Sequence, residues 1–273
     1  MLATIVGHAG YIGSHLARLL AGRGDDVFLP ERNDPRLFGQ KLGTVFYCAG
    51  LTADFRARPF DTVEAHVTLL ARLLKEADFE RLIYLSSTRL YDSLGGIRAS
   101  EDLALRLNPD NPRHLYDFSK GLGENLCVTT SAGKASVARL SCIFGGSGCR
   151  DGFIAELIAK TLGHQEITLE SSPHFTRDYL HVDEAAQLIL AIAERGSHPI
   201  YNVARGENTP NSQLFEIVSR LTGCAIKTTS TAHVDAPTID VTRIREEFGF
   251  SATPIEHHLA QDIATLRRTT LCF

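Results

Sequence analysis

The chain has 273 residues, 44% of them apolar, which is enough to bury the core of one large domain or of two coupled domains. The formal net charge is −4 and the charge clusters mix both signs, which argues against nucleic acid as a partner. No apolar run reaches the length of a membrane span, and strand-like residues begin directly after Met1, without room for a signal peptide. Six scattered cysteines without a CxxC pair suggest no disulfide framework and no metal site. We therefore expect a cytoplasmic protein without a membrane partner.

Strand-like apolar runs alternate with helical patterns along the first half of the chain. The run "LATIVG" precedes "YIGSHLARLLAGRG", in which Ile12, Leu16, Leu19 and Leu20 share one helical face. The alternation continues through "VFLP", "TVFYCAG", "VEAHVTLLARLLKEA", "RLIYLSS", "SKGLGENLCVTT" and "SVARLSCIFG". This pattern predicts an α/β fold, a doubly wound parallel sheet of Rossmann type with helices on both faces. After about residue 145 the composition and the pattern of strand-like and helix-like segments change. No linker marks the change, so a second domain must be interleaved with the first.

Three glycines separate the first strand from the first helix. Gly7, Gly10 and Gly13 would place backbone N–H groups and the positive end of the helix dipole where a pyrophosphate binds. Eighteen residues after Gly13, at the end of the second strand, follow Glu31 and Arg32. Glu31 would accept from a ribose 2′-hydroxyl, whereas Arg32 would pair with a 2′-phosphate. A tight turn and a solvated loop are the alternatives, and the choice between NAD and NADP stays open.

A tyrosine and two serines indicate acid–base chemistry. In "YDFSK", Tyr116 and Lys120 lie four residues apart on one helical face, and an ammonium beside a phenol would lower the pKa of the phenol. Ser86 and Ser87 end a buried strand, where ligands bind in open parallel sheets, so a hydroxyl there could hold a substrate oxygen beside Tyr116. The alternatives are a surface tyrosine near a lysine and serines that only cap a turn.

These motifs, in this order, resemble the extended short-chain dehydrogenase/reductase family. That family comprises the NAD(P)-dependent nucleotide-sugar epimerases, dehydratases and ketoreductases typified by UDP-galactose 4-epimerase. The resemblance runs nearly end to end and is carried by "GHAGYIG", "FYCAG", "LSSTRLY", "YDFSK" and the signature "RDYLHVDEAA".

The resemblance implies a nicotinamide cofactor and a nucleotide-sugar substrate. The residues it assigns to the cofactor are Gly7, Gly10, Tyr11, Ile12, Gly13, Glu31, Arg32, Cys48, Ala49, Gly50, Tyr116 and Lys120. It makes Ser87, Tyr116 and Lys120 catalytic, with Tyr116 as the acid/base and Lys120 lowering its pKa and holding the nicotinamide ribose. The residues it assigns to the substrate are Ser87, Thr88, Cys142 and Arg177, with Arg177 gripping the diphosphate.

The resemblance also implies a domain division and an assembly. We expect a dinucleotide-binding Rossmann domain made of residues 1–145, about 179–204 and 234–243. A small α/β substrate-binding domain would take 146–178, 205–233 and 244–273. Family members commonly pair through two long helices, here "VEAHVTLLARLLKEA" and "LYDFSKGLGENLCVTT", so we expect a homodimer.

The chain departs from the family pattern in the adenine region. Between the strand that ends near Pro30 and the next, near Thr44, only "ERNDPRLFGQKLG" remains, where the family has a helix and a third strand. We therefore expect the third strand to be missing and the adenine pocket to be cut back. A shortened adenine site favours a cofactor that exchanges at each turnover, and hence a reductase with a lean toward NADP.

Further departures concern the substrate. Cys142 and His66 both stand where the family usually has asparagine, and Thr88 and Arg89 replace the Asp-Glu pair of 4,6-dehydratases. The loss of that Asp-Glu pair argues against dehydration. The sequence therefore predicts hydride transfer at the sugar 4-position by a ketoreductase. A 4-epimerase with tightly bound NAD is the alternative, and a non-catalytic nucleotide-binding protein is the less favoured third possibility.

Overall fold

The computed structural model describes residues 1–146, 149, 152–234 and 236–270. The strands in chain order are β1 (Leu2–Val6), β2 (Asp26–Phe28), β3 (Thr44–Tyr47), β4 (Arg81–Ser87), β5 (Arg98–Ala99), β6 (Ala135–Leu140), β7 (Cys142–Phe144), β8 (Glu166–Leu169), β9 (Thr176–His181), β10 (Ile200–Val203), β11 (Asn208–Pro210), β12 (Ala225–Thr228) and β13 (Thr238–Ile239). The helices are α1 (Tyr11–Gly22), α2 (Pro59–Val63), α3 (Leu69–Glu76), α4 (His114–Thr130), α5 (Phe153–Thr161), α6 (Val182–Arg195), α7 (Asn211–Thr222), α8 (Thr242–Phe248) and α9 (Ile255–Thr270). Residues 147, 148, 150, 151, 235 and 271–273 lie outside the described residues, and of the predicted domain limits only the last, residue 273, falls among them.

A six-stranded parallel sheet forms the centre of the protein. Its strand order is β10-β6-β4-β3-β1-β2, and every neighbouring pair runs parallel. The chain order reverses at β1, because β2 lies on one side of it and β3 on the other. The predicted doubly wound parallel sheet is therefore confirmed, and its switch point lies beside the glycine turn.

Helices cover both faces of this sheet, as its strands of continuous apolar residues require. On one face, α1 and α6 contribute Leu16, Leu20 and Ile189 to a core with the strands. On the other face, α3 and α4 contribute Leu70 and Cys127 to a second core. The 3.6-residue spacing of the leucines in α1 is what directs them all to the sheet.

The third strand of the family pattern is absent, as predicted. Residues 29–43, all of them described by the structure, contain no strand of the sheet, and β2 is left as a three-residue edge. A short 3₁₀-helix, Pro35–Phe38, takes its place, and the Asp34 side chain caps it by accepting from the backbone N–H of Arg36. Asp34 followed by proline at the first helical position is a common start for such a turn.

A third core lies outside the main sheet. It joins α5, α7 and α9 to the three-stranded sheet β11-β9-β7, with Leu157, Leu214 and Leu259 almost fully buried. Most of this core lies in segments predicted to form the substrate-binding domain, but Phe144 and Tyr179 come from segments assigned to the Rossmann domain, and the domain limits stay a prediction. None of the helices in the described part of the chain has the length and apolar character of a membrane span.

Candidate active site

The glycine turn after β1 brings the start of α1 against the loop that follows β3. Gly7 has a φ of +87°, and a Cβ there would lie 2.7 Å from the backbone nitrogen of Ala49. A Cβ at Gly13 would overlap the carbonyl oxygen of Gly7. Gly10 caps α1 without any side-chain hydrogen bond, and its own N–H donates to Gly7 at 3.0 Å. Two of the three glycines are therefore required by close backbone approach.

The turn fits a dinucleotide pyrophosphate. The first N–H groups of α1 have no side-chain cap and lie at the positive end of the helix dipole. The hydroxyl of Tyr11, the first residue of α1, donates to the carbonyl oxygen of Gly145 at 2.6 Å. This side chain therefore ties α1 to the loop after β7, while Ile12 packs partly buried against the core of the α1 face.

Glu31 and Arg32 both follow β2 and expose most of their side chains. Glu31 lies near the glycine turn, with its Oε1 3.9 Å from Nε2 of His8. Arg32 lies near the start of α2, with its Nη2 3.8 Å from Oδ1 of Asp61. Both side chains remain available at the end of β2, so the geometry leaves the choice between a 2′-hydroxyl and a 2′-phosphate open.

Tyr116 and Ser87 meet at the carboxyl end of β4. Tyr116 lies in the first turn of α4 and is 2% exposed, and the hydroxyl side chains of Ser87 and Thr52 lie near enough to its hydroxyl to act on its pKa. The ring of Phe55 packs on that of Tyr116, with 5.4 Å between the centroids. The structure thus brings together the two hydroxyls that the sequence had placed on separate elements.

Ser86, the neighbour of Ser87, serves a different purpose. Side chains alternate along a strand, and Ser86 therefore points away from Tyr116 and donates to Oε1 of Glu124 at 2.5 Å. Glu124 also accepts two hydrogen bonds from Arg139, at 2.9 and 2.6 Å, in a fully buried pair. Ser86 belongs to this structural network.

Lys120 lies one helical turn after Tyr116 and is buried. Its ammonium donates to the carbonyl oxygen of Leu85 at 2.8 Å, and burial lowers its pKa to about 8. A Cβ at Gly50 would lie 3.3 Å from Nζ, so the loop 48–50 passes directly over the ammonium. Cys48 in this loop is partly buried, and desolvation raises the pKa of its thiol to about 12.

The pKa of Tyr116 differs from the expectation based on the sequence. Burial raises it, while the hydroxyl side chains of Ser87 and Thr52 and the positive charge of Arg89 act in the opposite direction. Lys120 is not among the largest contributions to this pKa. The expected lowering of the tyrosine pKa below its ordinary value was therefore wrong, because the phenol is desolvated.

His66 joins the loop after β3 to α4. It is fully buried within the π-helical segment Glu64–Thr68. Its Nε2 accepts from the backbone N–H of Leu51 at 3.2 Å, and its Nδ1 lies 2.8 Å from Oγ of Ser119. Burial, with help from Lys120, lowers the pKa of His66 to about 2, so the imidazole is neutral. The sequence marked His66 only as a departure from the family pattern.

The residues predicted to bind the substrate lie on β7, on β9 and in the 3₁₀-helix that follows β4. Thr88 begins a buried 3₁₀-helix after β4, and Cys142 lies on β7, where burial raises the pKa of its thiol to about 11. The guanidinium of Arg177 lies 4.4 Å from the ring centroid of Phe175, and its Nη2 lies 3.8 Å from Oδ2 of Asp92. A protonated Cys142 fits a packing role better than a nucleophilic one.

Asp178 does not pair with Arg177. It is buried on the other side of β9 and accepts from the backbone N–H groups of residues 205–207, at 2.7 to 3.2 Å. The guanidinium of Arg177 instead lies beside Asp92 and Phe175. Across the described residues, no cluster of histidine, cysteine and carboxylate side chains has an arrangement that could hold a metal ion.

Two residues of the site were missed from the sequence. Thr52 and Phe55 come from the loop after β3; the hydroxyl of Thr52 acts on the pKa of Tyr116, and the ring of Phe55 packs on that of Tyr116. The available signal was a single aromatic residue in the stretch "TADFRAR". Arg89 had been noted only for the acidic residue it replaces, yet its guanidinium lies 5.0 Å from the centroid of the Tyr116 ring.

Comparison with known proteins identifies the family. The model of the NAD dependent epimerase/dehydratase family matches residues 3–204. The chain belongs to this family. Membership confirms the predicted extended short-chain dehydrogenase/reductase resemblance, and with it an enzyme that uses a nicotinamide cofactor.

Individual relatives cover the chain from end to end. A dTDP-4-dehydro-6-deoxy-D-allose reductase from Streptomyces bikiniensis is 24% identical over 313 residues, covering 97% of this chain and 96% of the relative. MoeE5 in complex with UDP-glucose and NAD matches with a TM-score of 0.83 and 25% identity, over 98% of this chain and 99% of that one. RMD from Pseudomonas aeruginosa, complexed with NADPH, matches with a TM-score of 0.78 and 20% identity, over 96% and 97%. The last similarity concerns the fold alone.

Proposed function

We propose that this protein is an NAD(P)-dependent ketoreductase that reduces the 4-position of a nucleotide-activated sugar. The observation that carries the proposal is the meeting of Tyr116 and Ser87 at the end of β4, one helical turn from the buried Lys120. The family supplies the cofactor class, and the reductase from Streptomyces bikiniensis, similar along its whole length, supports the reaction and the substrate class.

The chemistry of Tyr116 suits the reductive direction. A phenol with a raised pKa is protonated at neutral pH and is ready to donate its proton to a carbonyl oxygen that becomes an alcohol. Ser87 and Thr52, whose hydroxyls lie beside the phenol, would hold that oxygen and the phenol in line. Arg177, half-exposed on β9 and without Asp178 as a partner, would grip the diphosphate.

The residues that would hold the cofactor lie along the first half of the sheet. When bound, the nicotinamide group supplies the hydride. The glycine turn would hold the pyrophosphate, and Lys120, under the loop 48–50, would hold the nicotinamide ribose. Because β2 is the edge of the sheet, the adenine has no third strand to lie against. We infer a weakly held, exchangeable cofactor, with Arg32 on a 2′-phosphate and NADPH preferred.

A 4-epimerase with retained NAD is the second candidate. The observation that favours it is the position of Glu31, whose carboxylate lies 3.9 Å from His8 within the glycine turn and could accept from a ribose 2′-hydroxyl. The same tyrosine would then serve as base and as acid in turn. A binding protein without catalysis is the least favoured reading, since it has no need of a buried phenol beside two hydroxyl side chains.

We also propose that the protein is a homodimer through α4 and the helices before it. Phe118 and Leu122, four residues apart on α4, are 40% and 49% exposed, and Phe60 on α2 is 88% exposed. This face lies opposite the Tyr116 and Lys120 face of α4, so an interface there leaves the site open. A second copy would cover the apolar side chains.

The first experiment decides between reductase and epimerase. Purified protein is denatured and the released dinucleotide is identified by mass spectrometry, and the stripped protein is then titrated with NADPH and NADH by fluorescence. A protein that retains little dinucleotide and prefers NADPH supports the reductase. Tightly retained NAD supports the epimerase and assigns the ribose to Glu31.

Turnover separates both enzymes from a binding protein. A panel of 4-keto sugar nucleotides is assayed with the parent, with Tyr116→Phe and with a control, Tyr201→Phe, whose hydroxyl bonds Glu247 away from the site. The proposal expects activity in the parent and the control and a loss of at least about 100-fold in Tyr116→Phe. Equal background rates in all three proteins would support the binding protein instead.

A further inference from the structure

Arg89 lies against the proposed acid of the reaction. It is the second residue of the 3₁₀-helix Thr88–Leu94, two positions after Ser87. Its guanidinium lies 5.0 Å from the ring centroid of Tyr116 and 5.6 Å from that of Phe55. A positive charge thus occupies the place at which the sequence comparison with dehydratases would put a carboxylate.

The guanidinium of Arg89 has no close ion-pair partner among the described residues, although its charge acts to lower the pKa of Asp117 against burial. Among the residues the structure describes, no carboxylate lies within 4.0 Å of its guanidinium, and the nearby Asp92 is bound by Arg113 at 2.8 Å and approached by Arg177 at 3.8 Å. The backbone of Arg89 is held on both sides, since its N–H donates to Ser87 and its carbonyl oxygen accepts from Arg113. The backbone of the residue is therefore fixed, and its guanidinium lies against the rings of Tyr116 and Phe55.

A cation over a ring has a stronger attraction for a phenolate than for a phenol. The ring quadrupole already draws the guanidinium, and loss of the phenolic proton adds a full negative charge to the same group. When Tyr116 gives its proton to the substrate oxygen, its O–H bond breaks and the phenolate retains the electron pair. Solvent then returns a proton to it after the step.

We propose that Arg89 is a positioning residue that holds the ring of Tyr116 and stabilises its phenolate as the proton is transferred. The inference rests on the proposed function and adds a positive charge, beside that of Lys120, to the surroundings of Tyr116. The structure supports it, because the guanidinium lies 5.0 Å from the centroid of the Tyr116 ring and its charge lowers the pKa of the phenol against the effect of burial.

The other groups that face Tyr116 do not replace Arg89. Asp117 on α4 is negative when ionised and raises the pKa of Tyr116. His66, whose ring meets that of Tyr116 edge-on at 5.4 Å, is neutral because its pKa is lowered to about 2. Among these neighbours, the favourable charge therefore comes from Arg89.

The test measures the titration of Tyr116 without needing turnover. The protein is labelled with 3-fluorotyrosine, which lowers every phenol pKa into a convenient range, and the ¹⁹F signal of residue 116 is assigned by its loss in Tyr116→Phe. Arg89→Met removes the charge, Arg89→Lys keeps the charge but not the planar group, and Arg72→Met is a matched control. Arg72 lies 3.8 Å from the ring centroid of Phe38, a cation–π contact distant from Tyr116.

We expect the titration midpoint of residue 116 to rise by about half a pH unit to one unit in Arg89→Met, less in Arg89→Lys, and not at all in Arg72→Met. In turnover, the alkaline limb of kcat/KM for reduction should move up by the same amount in Arg89→Met, with KM for the sugar nucleotide unchanged within about twofold. Circular dichroism checks that each variant is folded. If Arg89→Met is unfolded, the comparison is made with Arg89→Lys alone.

Two results would overturn the inference. One is an unchanged midpoint of residue 116 in both Arg89 variants. The other is a rise in KM with the midpoint and the alkaline limb fixed, which would assign Arg89 to an anionic substituent of the substrate instead. If the parent turns over no 4-keto sugar nucleotide, the proposed function fails, while the ¹⁹F titration still decides the role of Arg89.

Discussion

The ammonium of Lys120 donates to the carbonyl oxygen of Leu85, 2.8 Å away, from a position only 5% exposed to solvent. This hydrogen bond ties α4 to β4 two residues before Ser87 and fixes the spacing between the proposed catalytic side chains. A buried cation is costly, and burial accordingly lowers the pKa of Lys120 from 10.5 to about 8.

The lowered pKa of Lys120 predicts a pH-dependent stability. Between pH 8 and 10.5 the unfolded chain binds a proton at Lys120 that the folded protein does not, so stability rises with pH in this window. Lys120→Met lacks this term. Relative to the parent, the variant should therefore lose up to about 3 kcal/mol between pH 8 and 10.5, measured by urea unfolding at several pH values. A constant difference between variant and parent across the window would contradict the lowered pKa.

The close approach at Gly13 predicts a specific loss of cofactor binding. In Gly13→Ala the new methyl group meets the carbonyl oxygen of Gly7, so the glycine turn must shift. We expect a destabilisation of about 1–3 kcal/mol by urea unfolding and at least a tenfold weaker binding of NADPH or NADH by fluorescence titration.

The matched control is Gly22→Ala at the other end of the same helix. A Cβ at Gly22 meets nothing within 4 Å, and alanine is the better helix former. This variant should bind the cofactor as the parent does and gain up to about 1 kcal/mol of stability. Equal cofactor affinities of the Gly13 variant and the Gly22 variant would show that the glycine turn does not bind the cofactor.

The fold and part of the site could be predicted because they depend on local spacing. The glycine interval, the helical interval between Tyr116 and Lys120, and the strand end at Ser87 are all set by neighbours in sequence. The missing third strand followed from counting the residues between Pro30 and Thr44. The separation of Asp178 from Arg177 could have been predicted as well, since neighbouring strand residues point to opposite faces.

The remainder of the site depends on contacts between distant segments. Thr52 and Phe55 lie in a loop whose path no periodicity fixes, and they come to Tyr116 only through the tertiary fold. The direction of the pKa shift of Tyr116 follows from this burial, and it was therefore wrong when inferred from the helical neighbour Lys120 alone. A pKa needs the solvent exposure of the group as well as the nearest charge.

The buried pair of Glu124 and Arg139 predicts a large loss of stability. Glu124→Gln leaves Arg139, which is 3% exposed, without its bidentate carboxylate. We expect a loss of about 3–5 kcal/mol by urea unfolding. Glu76→Gln, in the exposed pair with Arg72 on α3, should cost less than about 0.5 kcal/mol. Similar losses for the two variants would mean that the Glu124 pair is solvated in solution.

The apolar face of α4 predicts the assembly. Leu122→Glu places a charge four residues after Phe118, at the centre of the proposed interface, where it would be desolvated on pairing. We expect the parent to sediment as a dimer at micromolar concentration and Leu122→Glu to sediment as a monomer, with unchanged circular dichroism. Leu266→Glu, at a 44% exposed position on α9, is the control and should remain dimeric. A parent that sediments as a monomer would exclude the dimer. A Leu122→Glu variant that remains dimeric would place the interface elsewhere, because a charge desolvated between two copies of α4 would oppose pairing.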